Sequence, residues 1–332
     1  MLPNLLAAAL ALATTTSASP ISRSSTTNNA WDLDWISTDP SLPKVIIYSA
    51  GGTSLSASNY SRLDNIAYGS GPPPTPYDLI SDVSEVLEVA QLAVLANAQV
   101  CAEGSDVAGA IMFHGTNTLE ETAFGVDLTF NCSKPFVATG SMRPDTYVSP
   151  DGHANFYQAV AAAASPSSRD RGGLIAFNDR ITSIYYSTKV NANTPDTFKA
   201  LEQGNLGAFL AGQPYCFFDA AYPTGRPHFD VTGVTELPSV IIVYGHQGFD
   251  ASLMYAAVAN GAKGLVILGP GAAAPGPSRI YSSYLGGEQA RIMLQLAINA
   301  GYDIDAIRGL FESPLRRAVY EAPANQKFYY SG

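Results

Sequence analysis

Residues 109–122, Gly-Ala-Ile-Met-Phe-His-Gly-Thr-Asn-Thr-Leu-Glu-Glu-Thr, decide the fold of this chain. The apolar residues 109–113 predict a buried strand, and the residues after the turn are typical of a helix start. In an open α/β sheet, ligands bind where a strand ends and the chain turns into a helix. Thr116 offers a hydroxyl and a backbone N–H group at such a turn. The stretch therefore predicts an α/β fold with a small-molecule site at the carboxyl end of this strand.

Outside this stretch, strand patterns alternate with helical patterns across residues 44–213. Such alternation indicates a mainly parallel sheet that helices cover on both faces. The predicted strands are 45–48, 110–113, 135–139 and 174–177, and the predicted helices are 83–100 and 155–164. We therefore predict the α/β fold class, with residues 44–213 as the larger, N-terminal domain.

A smaller α/β domain is predicted over residues 238–332, after a Pro-, Tyr- and Phe-rich linker at 214–237. Its predicted strands are 239–244 and 264–268, and its predicted helices are 254–260 and 289–299. The sequence shows no internal repeat and no membrane span.

The composition excludes several classes of function. With 332 residues, of which 46% are hydrophobic and 14% charged, the chain is long enough for two globular domains. A net charge of -10 argues against nucleic acid or an anionic membrane as a partner. The chain has only four histidines, no zinc-like His/Cys cluster and no Gly-x-Ser-x-Gly motif, so we predict neither a metal site nor a serine elbow. The predicted partner is a small-molecule substrate.

The N-terminal residues are typical of a secreted protein. Residues 1–18 are apolar and end in small residues, which predicts a signal peptide cleaved near Ala18. A buried N-terminal helix is the alternative, and residues 19–43 are predicted to be a lead-in. Asn59 and Asn131 each begin an Asn-x-Ser triplet, a predicted glycosylation site.

Four blocks together resemble the bacterial-type (type II) L-asparaginases. They are Ser-Ala-Gly-Gly-Thr at 49–53, the turn at 114–122, Gly-Ser-Met-Arg-Pro to Asp-Gly at 140–152, and Asn-Asp to Thr-Lys-Val-Asn at 178–191. The resemblance runs from Lys44 to the end of the chain and is patchy in the second domain. It implies a two-domain α/β fold, hydrolysis of L-asparagine to L-aspartate and ammonia, no cofactor, and a homo-oligomer.

The resemblance implies that Thr53 is the nucleophile. Hydrolysis of an unactivated amide needs an activated nucleophile, and threonine remains once a serine elbow and zinc are excluded. Two glycines precede Thr53, which lets its hydroxyl approach a ligand closely. A purely structural hydroxyl in a Gly-Gly-Thr turn is the alternative.

Further catalytic roles follow from the same resemblance. Thr116 would activate or replace the nucleophile, and Lys189 would tune its basicity, because a partly buried lysine has a lowered pKa and can accept a proton. The alternative for Lys189 is a solvated surface lysine. Tyr60 resembles a loop tyrosine that orients the nucleophile, with an ordinary exposed tyrosine as the alternative.

Substrate binding is where the chain departs from the family. Asn117 stands where the family has an aspartate that holds the α-ammonium of the substrate. The lost charge is expected to cost about 2–4 kcal/mol, or roughly 10- to 1,000-fold in rate. The family's Ser-Gln or Ser-Glu clamp is not clear, and Ser81-Asp82 is the best stand-in. Asp82 would then hold the ammonium; the alternative for this pair is a helix N-cap.

Two structural inferences complete the resemblance. Cys101 and Cys132 are expected to form a disulfide that leaves Cys216 free, with three reduced thiols as the alternative. After residues 269–271 a strand–helix unit of the family is missing, through either a faulty gene model or divergence. The sequence thus predicts a secreted amidohydrolase with a threonine nucleophile. The alternatives are a catalytically impaired pseudoenzyme, a small-amide binding protein, or a hydrolase of an amide that lacks a free α-ammonium.

Overall fold

The chain folds into two compact units with a boundary between Ala220 and Ala221. The computed structural model describes residues 34–37, 39–66, 69–95, 100–222, 224–269, 279–281 and 285–312. The predicted signal peptide, residues 1–18, and most of the lead-in lie outside the described residues. No helix in the described part is long and apolar enough to cross a membrane.

An eight-stranded sheet forms the first unit. The strands of this unit are β1 (Lys44–Ser49), β2 (Gln91–Leu95), β3 (Val107–Phe113), β4 (Phe136–Thr139), β5 (Gly173–Phe177), β6 (Arg180–Ser183), β7 (Thr188–Lys189), β8 (Phe198–Lys199), β9 (Gly207–Leu210) and β10 (Gln213–Cys216). The strand order is β10-β9-β6-β5-β4-β3-β1-β2, and β7 pairs with β8 in a separate ribbon. Strands β1, β2, β3, β4 and β5 are parallel to one another, whereas β6, β9 and β10 join the sheet through antiparallel pairs. The prediction of a mainly parallel α/β sheet is confirmed.

The described residues of this unit include three α-helices: α1 (Pro76–Asp82), α2 (Leu119–Asp127) and α3 (Gly152–Ala164). Helix α3 packs across β3, β4 and β5, and the ring of Phe156 contacts that of Phe113 with centroids 5.8 Å apart. All residues of β4 and β5 are buried. Strands buried on both faces read as unbroken apolar runs, which is why the sequence revealed them.

The predicted helix over 83–100 is wrong. Residues Ser84–Glu88 form a 3-10 turn, and β2 follows and pairs in parallel with β1. Glu, Leu, Val and Ala favour a helix locally, but pairing beside β1 buries Leu92 and Ala93, and this tertiary gain overrides the propensity. The helix of this region is α1, which begins at a capping box between Thr75 and Asp78.

The second unit contains β11 (Val240–Tyr244) and β12 (Gly264–Leu268), which form a parallel pair, and helices α4 (Ser252–Ala259), α5 (Gly287–Asn299) and α6 (Ile304–Phe311). Helix α5 packs on both strands, and its residues Met293 and Leu296 are fully buried. The strands and helices predicted here are present with small shifts at their ends. The first residues of the predicted linker, from Pro214, instead belong to β10.

Candidate active site

Two glycine-containing turns meet at the carboxyl ends of the adjacent strands β1 and β3. The register pairs Ser49 with Phe113, so both strands end at the same level. Gly52 has φ +112°, and a Cβ there would lie 2.6 Å from Cα of Gly115. The two backbones therefore touch at a point where no side chain fits. Directly after this contact, Thr53 begins a 3-10 turn and is buried.

A lysine–threonine contact lies at the second of these turns. Nζ of Lys189 donates a hydrogen bond to Oγ1 of Thr116 at 2.9 Å. Thr116 is buried, and Lys189 is half-buried on β7. The backbone N–H of Lys189 donates to Oε1 of Glu120 at 3.1 Å, which fixes β7 against the first turn of α2. The structure thus brings together two of the predicted catalytic residues.

The electrostatics of Lys189 suit proton transfer. Burial lowers the pKa of Lys189 below its ordinary value, and the negative charge of Glu120 acts in the opposite direction. A lysine that loses its proton more easily can accept one from a neighbouring hydroxyl. The hydrogen bond to Thr116 gives that proton a direct path between the two side chains.

Asn117 is the second side-chain partner of Lys189. Its Oδ1 accepts a hydrogen bond from Nζ at 3.2 Å, and the residue is exposed. The amide therefore occupies the position beside the lysine but brings no charge. Among the described residues, Glu120 is the carboxylate whose charge acts on the pKa of Lys189.

The third and fourth sequence blocks form a framework under the site. The carboxylate of Asp151 accepts hydrogen bonds from the backbone N–H groups of Met142 and Arg143. Buried Asn155 donates to the carbonyl of Gly140 at 3.0 Å and accepts from the backbone N–H of Asn178 at 2.9 Å. This network ties the ends of β4 and β5 to the start of α3.

Three other predicted site residues have contacts elsewhere. Tyr60 is 75% exposed, and its backbone N–H donates to Oγ of Ser58 at 3.2 Å.

Ser81 and Asp82 end helix α1, so the N-cap alternative for this pair is wrong. Oγ of Ser81 donates to the carbonyl of Tyr77 at 3.1 Å. A carboxylate oxygen of Asp82 lies within 4.8 Å of side-chain atoms of Asp145 and His153.

The cysteines pair as the resemblance implies. Cys101 and Cys132 form a disulfide with their Cα atoms 5.5 Å apart, and Cys216 is free. The alternative of three reduced thiols is therefore wrong.

The predicted glycosylation sites Asn59 and Asn131 are both exposed. The side-chain amide of Asn59 donates to a backbone carbonyl, that of Ser70.

Sequence reasoning missed Glu120. This residue is 5% exposed, and it follows Thr116 by four positions at the start of α2. The contact of Glu120 with Lys189 joins segments that lie 69 positions apart, so the sequence showed only an acidic residue in the first turn of α2. An acidic residue at that place is so common that it did not single out Glu120.

Comparison with known proteins extends over both units. The family model described as "Asparaginase, N-terminal" matches residues 44–221. The chain is 41% identical to "Probable L-asparaginase 1" of Schizosaccharomyces pombe, over 84% of this chain and 91% of the relative. It is 37% identical to "L-asparaginase 2-3" of Saccharomyces cerevisiae, over 82% and 90%.

A solved structure shares the fold. The probable cytoplasmic L-asparaginase from Campylobacter jejuni aligns with a TM-score of 0.73 and 26% identity, over 82% of this chain and 99% of that one. Because the family model matches more than half of the chain and relatives align along most of it, the chain belongs to the asparaginase family of amide hydrolases.

Proposed function

We propose that this protein hydrolyses the side-chain amide of L-asparagine to L-aspartate and ammonia, with Thr53 as the nucleophile. The observation that carries the proposal is the hydrogen bond between the half-buried amine of Lys189 and the hydroxyl of buried Thr116. It lies at the turn that touches the segment carrying Thr53. The names of the relatives support asparagine as the substrate.

The reaction follows from these groups in two steps. The hydroxyl of Thr53 attacks the amide carbonyl, and its proton passes by way of Thr116 to neutral Lys189. The tetrahedral intermediate collapses, the C–N bond breaks, and ammonia leaves with a proton from the protein. Water then attacks the acyl-threonine ester, which releases aspartate and restores the hydroxyl. Lys189 thus holds the proton between attack and departure.

A second candidate substrate is an amide without a free α-ammonium, such as a blocked asparagine. The supporting observation is Asn117, whose neutral amide bonds Lys189 and offers no charge to an ammonium group. An uncharged partner discriminates less against a blocked amine than a carboxylate would. A pseudoenzyme or amide-binding protein remains the outcome if no amide is turned over.

The test is ammonia release from asparagine, glutamine and N-acetyl-asparagine. Thr116→Ala is expected to abolish the activity, whereas Thr122→Ala, a matched change further along α2, is expected to retain it. Turnover of asparagine that the first variant abolishes supports the proposal. Turnover of only the blocked amide supports the second candidate. A folded protein that releases no ammonia from any of the three amides contradicts both.

We also propose that the protein is secreted, glycosylated and a homo-oligomer. The apolar residues 1–18, the disulfide and the exposed Asn59 and Asn131 suit an oxidising secretory route. Oligomerisation rests on the resemblance alone. N-terminal sequencing of protein from the medium, a glycosidase-induced mass loss and light scattering test the three claims. A retained N-terminus, an unchanged mass or a monomer would contradict them in turn.

A further inference from the structure

Three side chains outside the proposed catalytic group form a cluster of potential metal ligands in the first unit. Asp82 ends α1, Asp145 lies in the loop between β4 and α3, and His153 lies in the first turn of α3. One oxygen of each carboxylate and one ring nitrogen lie within 4.8 Å of one another. We propose that these three residues bind a divalent transition-metal ion, for which Zn²⁺ is the expected species.

The geometry suits one small ion. Nε2 of His153 lies 2.9 Å from Oδ1 of Asp145. Ligand atoms that share one tetrahedral zinc ion are about 3.3–3.6 Å apart, because each lies about 2.0–2.2 Å from the metal. Small side-chain rotations therefore bring all three atoms into range. The side chains of His153 and Asp145 are 37% and 26% exposed, so an ion can enter and water can complete its coordination.

The charges also favour a cation at this place. One oxygen of Asp82 and one of Asp145 lie within 4.8 Å of each other. In the described part of the chain no lysine or arginine forms an ion pair with either, and His153 balances the charge of Asp145 only when it is protonated. Asp82 is also the last residue of α1, where the helix dipole disfavours a negative charge. A divalent ion would neutralise both carboxylates. It would also place positive charge at the C-terminus of α1, where the helix dipole favours it.

The donor set selects the type of metal. One imidazole nitrogen and two carboxylate oxygens suit Zn²⁺ and neighbouring first-row ions, whereas Ca²⁺ and Mg²⁺ prefer oxygen ligands alone. Sequence reasoning predicted no metal site, because these ligands come from three separate segments without the spacing of a zinc motif.

The bound ion would act on the segment after Thr53. The backbone N–H of Asp145 donates to the carbonyl of Ser56 at 3.0 Å. Its neighbour Thr146 accepts a hydrogen bond from the backbone N–H of Ser58 at 2.9 Å. The loop that contains Asp145 therefore also binds the segment that follows Thr53, the proposed nucleophile. The ion is expected to stabilise this region, with a positioning role rather than a catalytic one.

The experiment is a calorimetric titration of chelator-treated protein with Zn²⁺, and separately with Ca²⁺ and Mg²⁺. The unfolding temperature is also measured in the presence of each ion. The variants are His153→Ala and Asp82→Asn. His246→Ala is the matched control, because this imidazole is exposed in the second unit. The readout does not depend on the proposed amidase activity, so failure of one proposal leaves the other standing.

We expect one Zn²⁺ per chain and a rise of the unfolding temperature in the wild type and in His246→Ala. The affinity should fall at least about tenfold in both cluster variants. Asp82→Asn removes a like-charge contact, so the variant is expected to fold even if His153→Ala does not. Zn²⁺ binding that is unchanged in Asp82→Asn, preferential binding of Ca²⁺ or Mg²⁺, or no binding in the micromolar range would overturn the proposal.

Discussion

Lys189 experiences two opposing influences, and their balance sets the pH at which it can accept a proton. Burial lowers its pKa, and the carboxylate of Glu120 opposes that decrease. If the neutral amine is the active form, kcat rises with pH until Lys189 is deprotonated. Glu120→Gln removes the opposing charge, so the pKa falls further and the rising limb moves to lower pH. The pH profile of kcat checks this shift.

Glu121→Gln is the control for this shift, since it removes the adjacent carboxylate while Glu120 stays in place. We expect its rising limb to stay near that of the wild type. A limb that moves to higher pH in Glu120→Gln would contradict the proposed role of the neutral lysine.

Asn117 offers the second residue-level prediction. Asn117→Asp places a carboxylate beside Nζ of Lys189, where the amide oxygen now lies at 3.2 Å. The new charge is expected to bind the α-ammonium of asparagine and to raise kcat/KM for asparagine by roughly 10- to 1,000-fold. N-acetyl-asparagine, which has no ammonium group, should gain nothing. Equal gains for both substrates would show that the residue does not contact the ammonium.

At the level of single residues, the sequence indicated the proposed catalytic group better than the groups around it. Thr116 and Lys189 are 73 positions apart and still meet, as the four-block resemblance implied. The contact of Glu120 with Lys189 and the proposed metal-ligand cluster of Asp82, Asp145 and His153 join distant segments of the chain, which no local pattern predicts. Asp82 shows the difficulty, because its neighbours in space are 63 or more positions away in the chain.

Among the elements, the turn after β1 combines a steric requirement with a backbone requirement for glycine. A Cβ at Gly52 would overlap the backbone of Gly115, and its φ of +112° disfavours any other residue. Gly52→Ala should therefore destabilise the protein by about 2–4 kcal/mol through overlap and strain. Gly51→Ala is the matched control, because Gly51 also has a positive φ, +76°, but has open space around it.

Urea unfolding of the two variants separates overlap from backbone strain. The control should lose only about 1–2 kcal/mol, the cost of the left-handed conformation. Equal losses in the two variants would mean that the contact with Gly115 is not what requires glycine at position 52.

The error over residues 83–100 shows which elements sequence reading misses. Central strands such as β4 and β5 have both faces buried and therefore carry a continuous apolar signal. Strand β2 lies at the end of the sheet order, and its sequence of Gln, Leu, Ala and Val is equally compatible with a helix. Pairing with β1 decides its conformation. The conformation of β2 therefore depends on its partner strand and cannot be predicted from residues 91–95 alone.

For the whole molecule, the disulfide is expected to determine how firmly the first unit holds its site. It joins Cys101, before β3, to Cys132, after α2, and so encloses the turn that carries Thr116. For a sequence separation of 31, chain entropy predicts about 3–4 kcal/mol of stabilisation. The double variant Cys101→Ala/Cys132→Ala should therefore unfold at lower urea and lose activity in parallel.

Cys216→Ala tests whether this effect belongs to the bridge. This thiol is free and half-buried on β10, so its removal should change the urea midpoint much less. Adding a reductant should bring the wild type to the midpoint of the double variant and leave that variant unchanged. If the double variant keeps the urea midpoint of the wild type, the bridge does not contribute to stability, and the enclosed turn must be held by the packing of β3 and α2 alone.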